Sequence, residues 1–266
     1  IDSNFNLISN YLPSNTTLFF NDSKVINGRL YFKNKNGAKI EILIADEKIS
    51  SALKKKSPVL LKALIGNKKK WKGGDVLENK INGIIIKIKK IKNKVSFEWD
   101  NDISFDELLI KSGIIPLPPY IKRDTESSDY LNYQTVYSKN NGSIAAPTAG
   151  LHFNNDLIDN LKKNQIIDFF TLHVGLGTFK PIKSENIENH TMHSEEIIIN
   201  KENILNIYNS KNITAVGTTS LRVLESIYYL GSIIEKEKYN YVISQKIIEK
   251  KFKLNLKESC KKIIDY

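Results

Sequence analysis

Two short stretches of this chain set imidazoles among small residues: Ala145-Ala146-Pro147-Thr148-Ala149-Gly150-Leu151-His152-Phe153 and Leu172-His173-Val174-Gly175-Leu176-Gly177-Thr178-Phe179. Glycine and alanine let a backbone come close to a ligand, and histidine is the side chain most easily tuned for proton transfer near neutral pH. The chain has four histidines, His152, His173, His190 and His193, all between residues 152 and 193. One histidine alone is more often a packing residue; four beside glycine turns point to chemistry. His190, His193 and Glu195 also invite a metal, but their spacing matches no closed zinc pattern and Cys260 is remote, so no metal is expected. Gly217-Thr218-Thr219-Ser220 opens a helical pattern. Its free N–H groups and hydroxyls suit a carboxylate or phosphate, and equally an ordinary N-cap. Gly175-Leu176-Gly177 lacks the third glycine of a dinucleotide fingerprint.

The charge is less informative than it looks. A net +11 favours a polyanionic partner, because Lys and Arg gain affinity by releasing counterions from phosphates. Of the 40 basic residues, however, only Arg29, Arg123 and Arg222 are arginine. A lysine-, asparagine- and isoleucine-rich composition also follows from biased base usage in a gene, and both explanations stand. Each arginine then suggests either a bidentate contact or a structural ion pair.

These residues need strands and turns to bring them together. From 18 to 99 the pattern is β: Leu18 to Phe20, Arg29 to Phe32, Ala38 to Ile44, Val59 to Leu64, Ile84 to Ile88 and Val95 to Trp99. Gly, Asn and Lys clusters separate these runs, as in a small barrel with Trp71 and Trp99 in its core. Lys68 to Gly74 reads as an RNA grip by charge and Trp71 stacking, or as a solvated turn. Ser104 and Glu107 form a capping-box pattern that Gly113 ends, and Pro116 to Tyr120 is a stiff connector.

Beyond it α and β alternate. Helices are expected over Asp129 to Tyr137, Asn154 to Lys163, Lys201 to Tyr208 and Ser220 to Leu230. Strands are expected over Ser143 to Ala146, Ile167 to His173, Glu196 to Ile199 and Ile213 to Gly217. The fold class is therefore α/β, a layered, mostly parallel sheet domain with an inserted small β-barrel domain. The expected division is 1–24 with 116–266 for the α/β part and 25–115 for the insertion. Three motifs end predicted strands and should line one pocket: Pro147 to Gly150, His173 to Gly175, and Gly217 to Ser220.

No apolar run reaches the roughly 18 residues of a membrane span, and no signal-peptide pattern opens the chain. A single cysteine agrees with a reducing compartment, and we expect a cytoplasmic protein. The chain starts at Ile1 and ends at Tyr266, and both ends read as cut from something longer.

Several blocks together resemble the S-adenosylmethionine:tRNA ribosyltransferase-isomerase family of queuosine biosynthesis. They are Phe20 to Val25 with Arg29-Leu30, Pro116 to Tyr120, Tyr133 to Ser138, Ala145 to Phe153, Leu172 to Phe179, Met192 to Glu195, and Ala215 to Arg222 through Ser226. The blocks occur in family order between about residue 18 and residue 226. The family's N-terminal acidic-basic segment and its block around Thr-Asn-Phe-His have no counterpart here, and 232–266 match only loosely.

The resemblance implies an α/β domain carrying an inserted barrel. It also implies transfer and isomerisation of the ribosyl group of S-adenosylmethionine onto 7-aminomethyl-7-deazaguanine at the tRNA wobble position, with adenine and methionine released. S-adenosylmethionine is then a substrate, and no cofactor or metal is needed; the partners are tRNA and S-adenosylmethionine, the protein a monomer. On this basis His152, His173, His193 and Glu195 are catalytic candidates: His173 or His152 to handle a proton, Glu195 to orient an imidazole or the amine. Thr218, Thr219 and Arg222 would hold the methionine carboxylate or a phosphate, Asp22 and Arg29 ribose or RNA, and Thr148, Gly150, Gly175 and Gly177 would line the substrate site. Two other classes stay open: a non-catalytic basic RNA-binding relative, and an S-adenosylmethionine-dependent RNA methyltransferase.

Overall fold

The computed structural model describes residues 3–179, 184–186, 190, 192–234, 241–250 and 252–266. Thr16–Asn21 forms β1, buried at every position. A strand covered on both faces lies inside a sheet with a layer on each side. From it the chain runs through β2 (Ser23–Val25), β3 (Arg29–Lys33), β4 (Lys39–Ile44) and α1 (Ile49–Leu53). Four strands follow: β5 (Val59–Gly66), β6 (Val76–Ile81), β7 (Ile84–Ile91) and β8 (Lys94–Trp99). Then come α2 (Phe105–Ser112), α3 (Asp129–Asn132), β9 (Asn140–Ser143), α4 (Asn155–Leu161) and β10 (Ile166–His173). The last elements are β11 (Glu196–Ile198), α5 (Lys201–Asn209), β12 (Asn212–Ala215), α6 (Gly217–Ile233) and α7 (Leu256–Asp265).

One sheet has the order β11-β10-β1-β12, with β1 parallel to both β10 and β12 and β11 antiparallel to β10. Strand alternation decides its two cores. Leu18 and Phe20 face Phe153, Leu157 and Leu161 from α4 and the turn before it. Phe19 faces the other way, onto Phe170, Leu172, Val223 and Ile227 beneath α5, α6 and α7. Each fully buried side chain of this size contributes about 1.5–3 kcal/mol, against about 1 kcal/mol net for a typical hydrogen bond. The apolar faces, more than any one polar contact, hold the strand ends in place.

Strands β3 to β8 build a separate antiparallel sheet in the order β3-β4-β5-β8-β7-β6. In β7, Ile84, Ile86 and Ile88 point into its core while Lys87 and Lys89 point to solvent. The ladder differs from the expected closed barrel. Closure needs main-chain pairing between the first and last strands; here β3 and β6 pair with one neighbour each, and the Asn79 side-chain amide donates to the Tyr31 carbonyl at 2.9 Å. β2 and β9 pair in parallel and tie this unit to the α/β sheet.

Three expected elements have other bounds. The strand placed at Ser143 to Ala146 ends at Ser143, because the Ile144 N–H turns to the Val174 carbonyl at 2.8 Å. The helix expected to Tyr137 stops at Asn132, since Gln134 leaves it to bond the Val25 N–H and carbonyl at 3.0 and 2.8 Å. Helix α6 begins at Gly217, which adopts φ +83° as the strand turns into it. Trp71 and Trp99 both lie in the core of the antiparallel sheet, as the sequence suggests. The RNA-stacking reading of Trp71 fails: the residue is 2% exposed and its Nε1–H donates to the Asp75 carbonyl. Among the described residues no helix is long and apolar enough to cross a membrane.

Candidate active site

The carboxyl end of β10 runs into Gly175, and there a polar cluster forms around Glu195. The Gly175 N–H donates to Glu195 Oε1 at 3.0 Å, and His193 Nε2 meets the same oxygen at 3.0 Å. Arg222, one turn into α6, pairs through Nη1 with Glu195 Oε2 and through Nη2 donates to the His193 carbonyl at 2.7 Å. The Glu195 side chain is 5% exposed, whereas the His193 ring is 30% exposed. A buried carboxylate so paired is fixed in place, and the imidazole it orients faces solvent. That is the relation of a positioned general base or acid to the group that aligns it.

Glycine is required at three places because a ring occupies the space of its Cβ. A Cβ on Gly177 would lie 2.0 Å from His193 Nδ1, one on Gly150 2.0 Å from Tyr137 Oη, and one on Gly142 2.6 Å from the His173 ring. The strand-end turns also meet: a Cβ on Gly217 would come within 2.9 Å of the Ala149 Cβ. Pro147 to Gly150, His173 to Gly175 and Gly217 to Ser220 are thus joined through Ala149 on one side and through Glu195 and Arg222 on the other.

His173 is buried on β10 against Gly142, opposite Glu196 of β11. Among the described residues neither ring nitrogen has a hydrogen-bond partner. Burial lowers its pKa from the ordinary imidazole value, with Glu196 and Asp22 pulling weakly the other way. A neutral imidazole with an open lone pair is able to accept a proton.

The remaining sequence candidates divide. Asp22 lies behind β10, where its carboxylate accepts from Thr171 Oγ1 at 2.6 Å and from Asn140 Nδ2 at 3.1 and 3.2 Å. Thr218 is exposed and Thr219 half-buried in the first turn of α6, whose N-terminus carries no side-chain cap. Thr148 is exposed beside buried Gly150. Two candidates stand apart from these groups. Arg29 is ion-paired with Glu41 at 3.0 Å on the antiparallel sheet, and His152 is exposed with its ring 5.3 Å from that of Phe5. Arg123 makes a bidentate pair with Asp129 at 2.6 and 2.7 Å that holds this carboxyl down at about 2. The His190 carbonyl accepts from Gln245, and among the described residues no His, Cys, Asp or Glu trio forms a metal-ligand group. The Phe179 side chain lies outside the described residues.

Sequence reasoning missed Tyr137, Asn140 and Thr171 as site residues. Burial pushes the Tyr137 phenol far above its usual range. Only Tyr137 left a signal, an aromatic in a polar stretch; Thr171 reads as an ordinary strand residue and Asn140 as a turn.

Comparison with known proteins places these motifs. A family model described as "Queuosine biosynthesis protein" matches residues 1–255. A Borreliella afzelii protein named S-adenosylmethionine:tRNA ribosyltransferase-isomerase is 39% identical over 85% of this chain and 64% of its own length. Proteins of the same name from Buchnera aphidicola and Campylobacter jejuni are 41% and 40% identical, over 88% and 85% of this chain and 66% and 65% of their own lengths. The chain therefore spans just under two thirds of the length of these relatives. The solved structure of an S-adenosylmethionine tRNA ribosyltransferase from Thermotoga maritima is 24% identical, covering 84% of this chain and 59% of that one at a TM-score of 0.30, too low to carry an argument. With the family model spanning nearly the whole sequence, the chain belongs to the queuosine biosynthesis protein family.

Proposed function

We propose that this protein transfers and isomerises the ribosyl group of S-adenosylmethionine onto 7-aminomethyl-7-deazaguanine at the tRNA wobble position, releasing adenine and methionine. One observation carries the reading beyond family membership: the Glu195 cluster joins an oriented, accessible imidazole to the glycine turn at the end of a parallel strand. The chemistry asks for these groups. A sulfonium acidifies the neighbouring ribose C–H, so a positioned base can remove a proton as adenine leaves. The aminomethyl nitrogen then attacks the sugar, and methionine departs as a neutral thioether. Both electron pairs are accounted for without an external oxidant.

On this reading His193 or His173 takes the proton, and Glu195 acts as a positioning residue for His193. Arg222 holds Glu195 in turn. The uncapped start of α6 with Thr218 and Thr219 receives the methionine carboxylate, as helix N-termini receive anions. The antiparallel unit at 25–115 is the inserted, barrel-like part of the molecule and offers Lys87 and Lys89 to RNA phosphates.

Products test the proposal. The intact protein, given S-adenosylmethionine and tRNA carrying the aminomethyl base, should release adenine and methionine only when that tRNA is present. Formation of S-adenosylhomocysteine would make it a methyltransferase. Bound tRNA with no adenine released would make it a non-catalytic binding protein.

A further inference from the structure

Two consecutive carboxylates, Glu195 and Glu196, lie beside the two candidate proton carriers, and they are used differently. Glu195 meets His193 Nε2 at 3.0 Å. Glu196 stands directly across the β10–β11 ladder from His173, but its Oε2 accepts from Ser50 Oγ at 2.6 Å. Among the described residues both His173 nitrogens are without a hydrogen-bond partner. Opposed residues of an antiparallel pair place their Cβ atoms about 4.5–5.5 Å apart, so the carboxylate is within reach of the imidazole it leaves alone. A hydroxyl-to-carboxylate bond of this length is charge-assisted, about twice as strong as a neutral one.

Ser50 belongs to the inserted unit. It sits on α1, whose Ile49, Ala52 and Leu53 are buried in the core of the antiparallel sheet. Other contacts hold the unit at this place. Leu176, from the turn after β10, and Ile144, just after β9, pack against the same core. Asp106 of α2 accepts from Asn141 Nδ2 at 2.8 and 3.0 Å. The pairing of β9 with β2 then skips Gly142, at φ +153°, on which the His173 ring rests. The inserted unit thus grips both strands that border His173, β11 through Ser50 and β9 through Asp106. Among the described residues, the charges acting on the imidazole are Glu196 from β11 and Asp22 from the β1–β2 junction. Asp22 is taken up by Thr171 and Asn140, while β9 offers Gly142 and α1 offers Ser50, both uncharged. Burial outweighs both carboxylates and favours the neutral ring.

We propose that Ser50 is a positioning residue for His173: its hydroxyl diverts the Glu196 carboxylate from the imidazole and leaves both ring nitrogens open to the reactants. Its use in turnover rests on the ribosyl-transfer reading, in which His193 or His173 takes the proton. A carboxylate turned onto the ring would occupy one nitrogen and favour the protonated form, which cannot accept a proton. The two histidines are set apart by this device, His193 paired with its carboxylate and His173 not. Sites that need both an acid and a base separate their groups in this way.

The histidine ring resonances of the intact protein, free of substrate, report the titration of His173, with His173→Gln to assign it. Ser50→Ala should raise its midpoint by about one pH unit, because the freed carboxylate stabilises the imidazolium. Glu196→Gln should lower it, and adding Ser50→Ala should then change nothing further. Ser50→Thr, which keeps the hydroxyl, should titrate as wild type. So should Ser51→Ala, whose hydroxyl donates to the Lys48 carbonyl at the start of α1. A midpoint that stays or falls in Ser50→Ala overturns the proposal. A rise that persists in the Glu196→Gln background, or appears equally in Ser51→Ala, overturns it too. The acid limb of adenine release should move up with the midpoint, and a limb that stays while the midpoint rises removes Ser50 from the reaction. Absence of adenine release by wild-type protein overturns the ribosyl-transfer reading alone, because the titration uses no substrate.

Discussion

At the scale of single residues, the site is a set of rings resting on glycines and carboxylates tied to neutral or cationic partners. Gly177→Ala would drive a methyl group into the His193 ring, so turnover should fall by an order of magnitude or more while the far-ultraviolet circular dichroism stays unchanged; unaltered turnover would remove His193 from the mechanism. His173→Gln should lower turnover and leave tRNA affinity nearly intact. His173 also sets a pH dependence. Its folded pKa lies below the ordinary imidazole value of 6.5, so between those two values the unfolded chain binds more protons. The stability it contributes is present above about pH 6.5 and is lost as the pH falls towards the folded value. Denaturant midpoints between pH 7.5 and 5.5 should therefore drop more steeply for wild type than for His173→Gln, and parallel slopes would contradict a buried neutral imidazole. The sequence made the histidines and glycines visible because their types are scarce here. It hid Thr171 and Asn140, whose roles come only from which strand edges meet, and it gave no hint that Arg222 would turn inward onto Glu195.

At the scale of elements, local sequence signals and tertiary structure agree wherever the signal is chemical. Ser104 and Glu107 form the capping box read from their spacing, with Gly113 at the other end of α2. Replacing Ser104 by Ala should cost about 1 kcal/mol in chemical denaturation. Gly217 is the stricter position: at φ +83° and against Ala149, Gly217→Ala should cost roughly 1–2 kcal/mol from backbone strain alone and more from the contact. Equal stability of wild type and Gly217→Ala would mean that the turn into α6 has another geometry. The apolar strands, β1, β4, β5, β7, β8 and β10, were legible from β-branched and aromatic runs. β6 was not, because Val76-Leu77-Glu78-Asn79-Lys80-Ile81 puts three polar residues in a row, which breaks the apolar alternation of a strand, as an edge strand allows. The helix expected at Asp129 to Tyr137 forms only to Asn132 for a related reason: Gln134 is claimed by β2, a partner distant in sequence.

At the scale of the whole molecule, a net charge of +11 carried almost wholly by lysine favours a polyanionic partner over a small neutral one. Binding of tRNA should weaken steeply with salt, the logarithm of affinity falling linearly with that of salt concentration, while S-adenosylmethionine binding stays much less salt-sensitive. A tRNA affinity flat from about 50 to 200 mM salt would rule out the lysine surfaces as the docking face. The central claim is that the ribosyl group moves and the methyl group does not. S-adenosylmethionine carrying one isotope in the ribose and another in the methyl group, incubated with the intact protein and tRNA bearing the aminomethyl base, decides it. The ribose label should appear in the tRNA and the methyl label in free methionine; methyl label in the tRNA, or neither label there, would contradict the account.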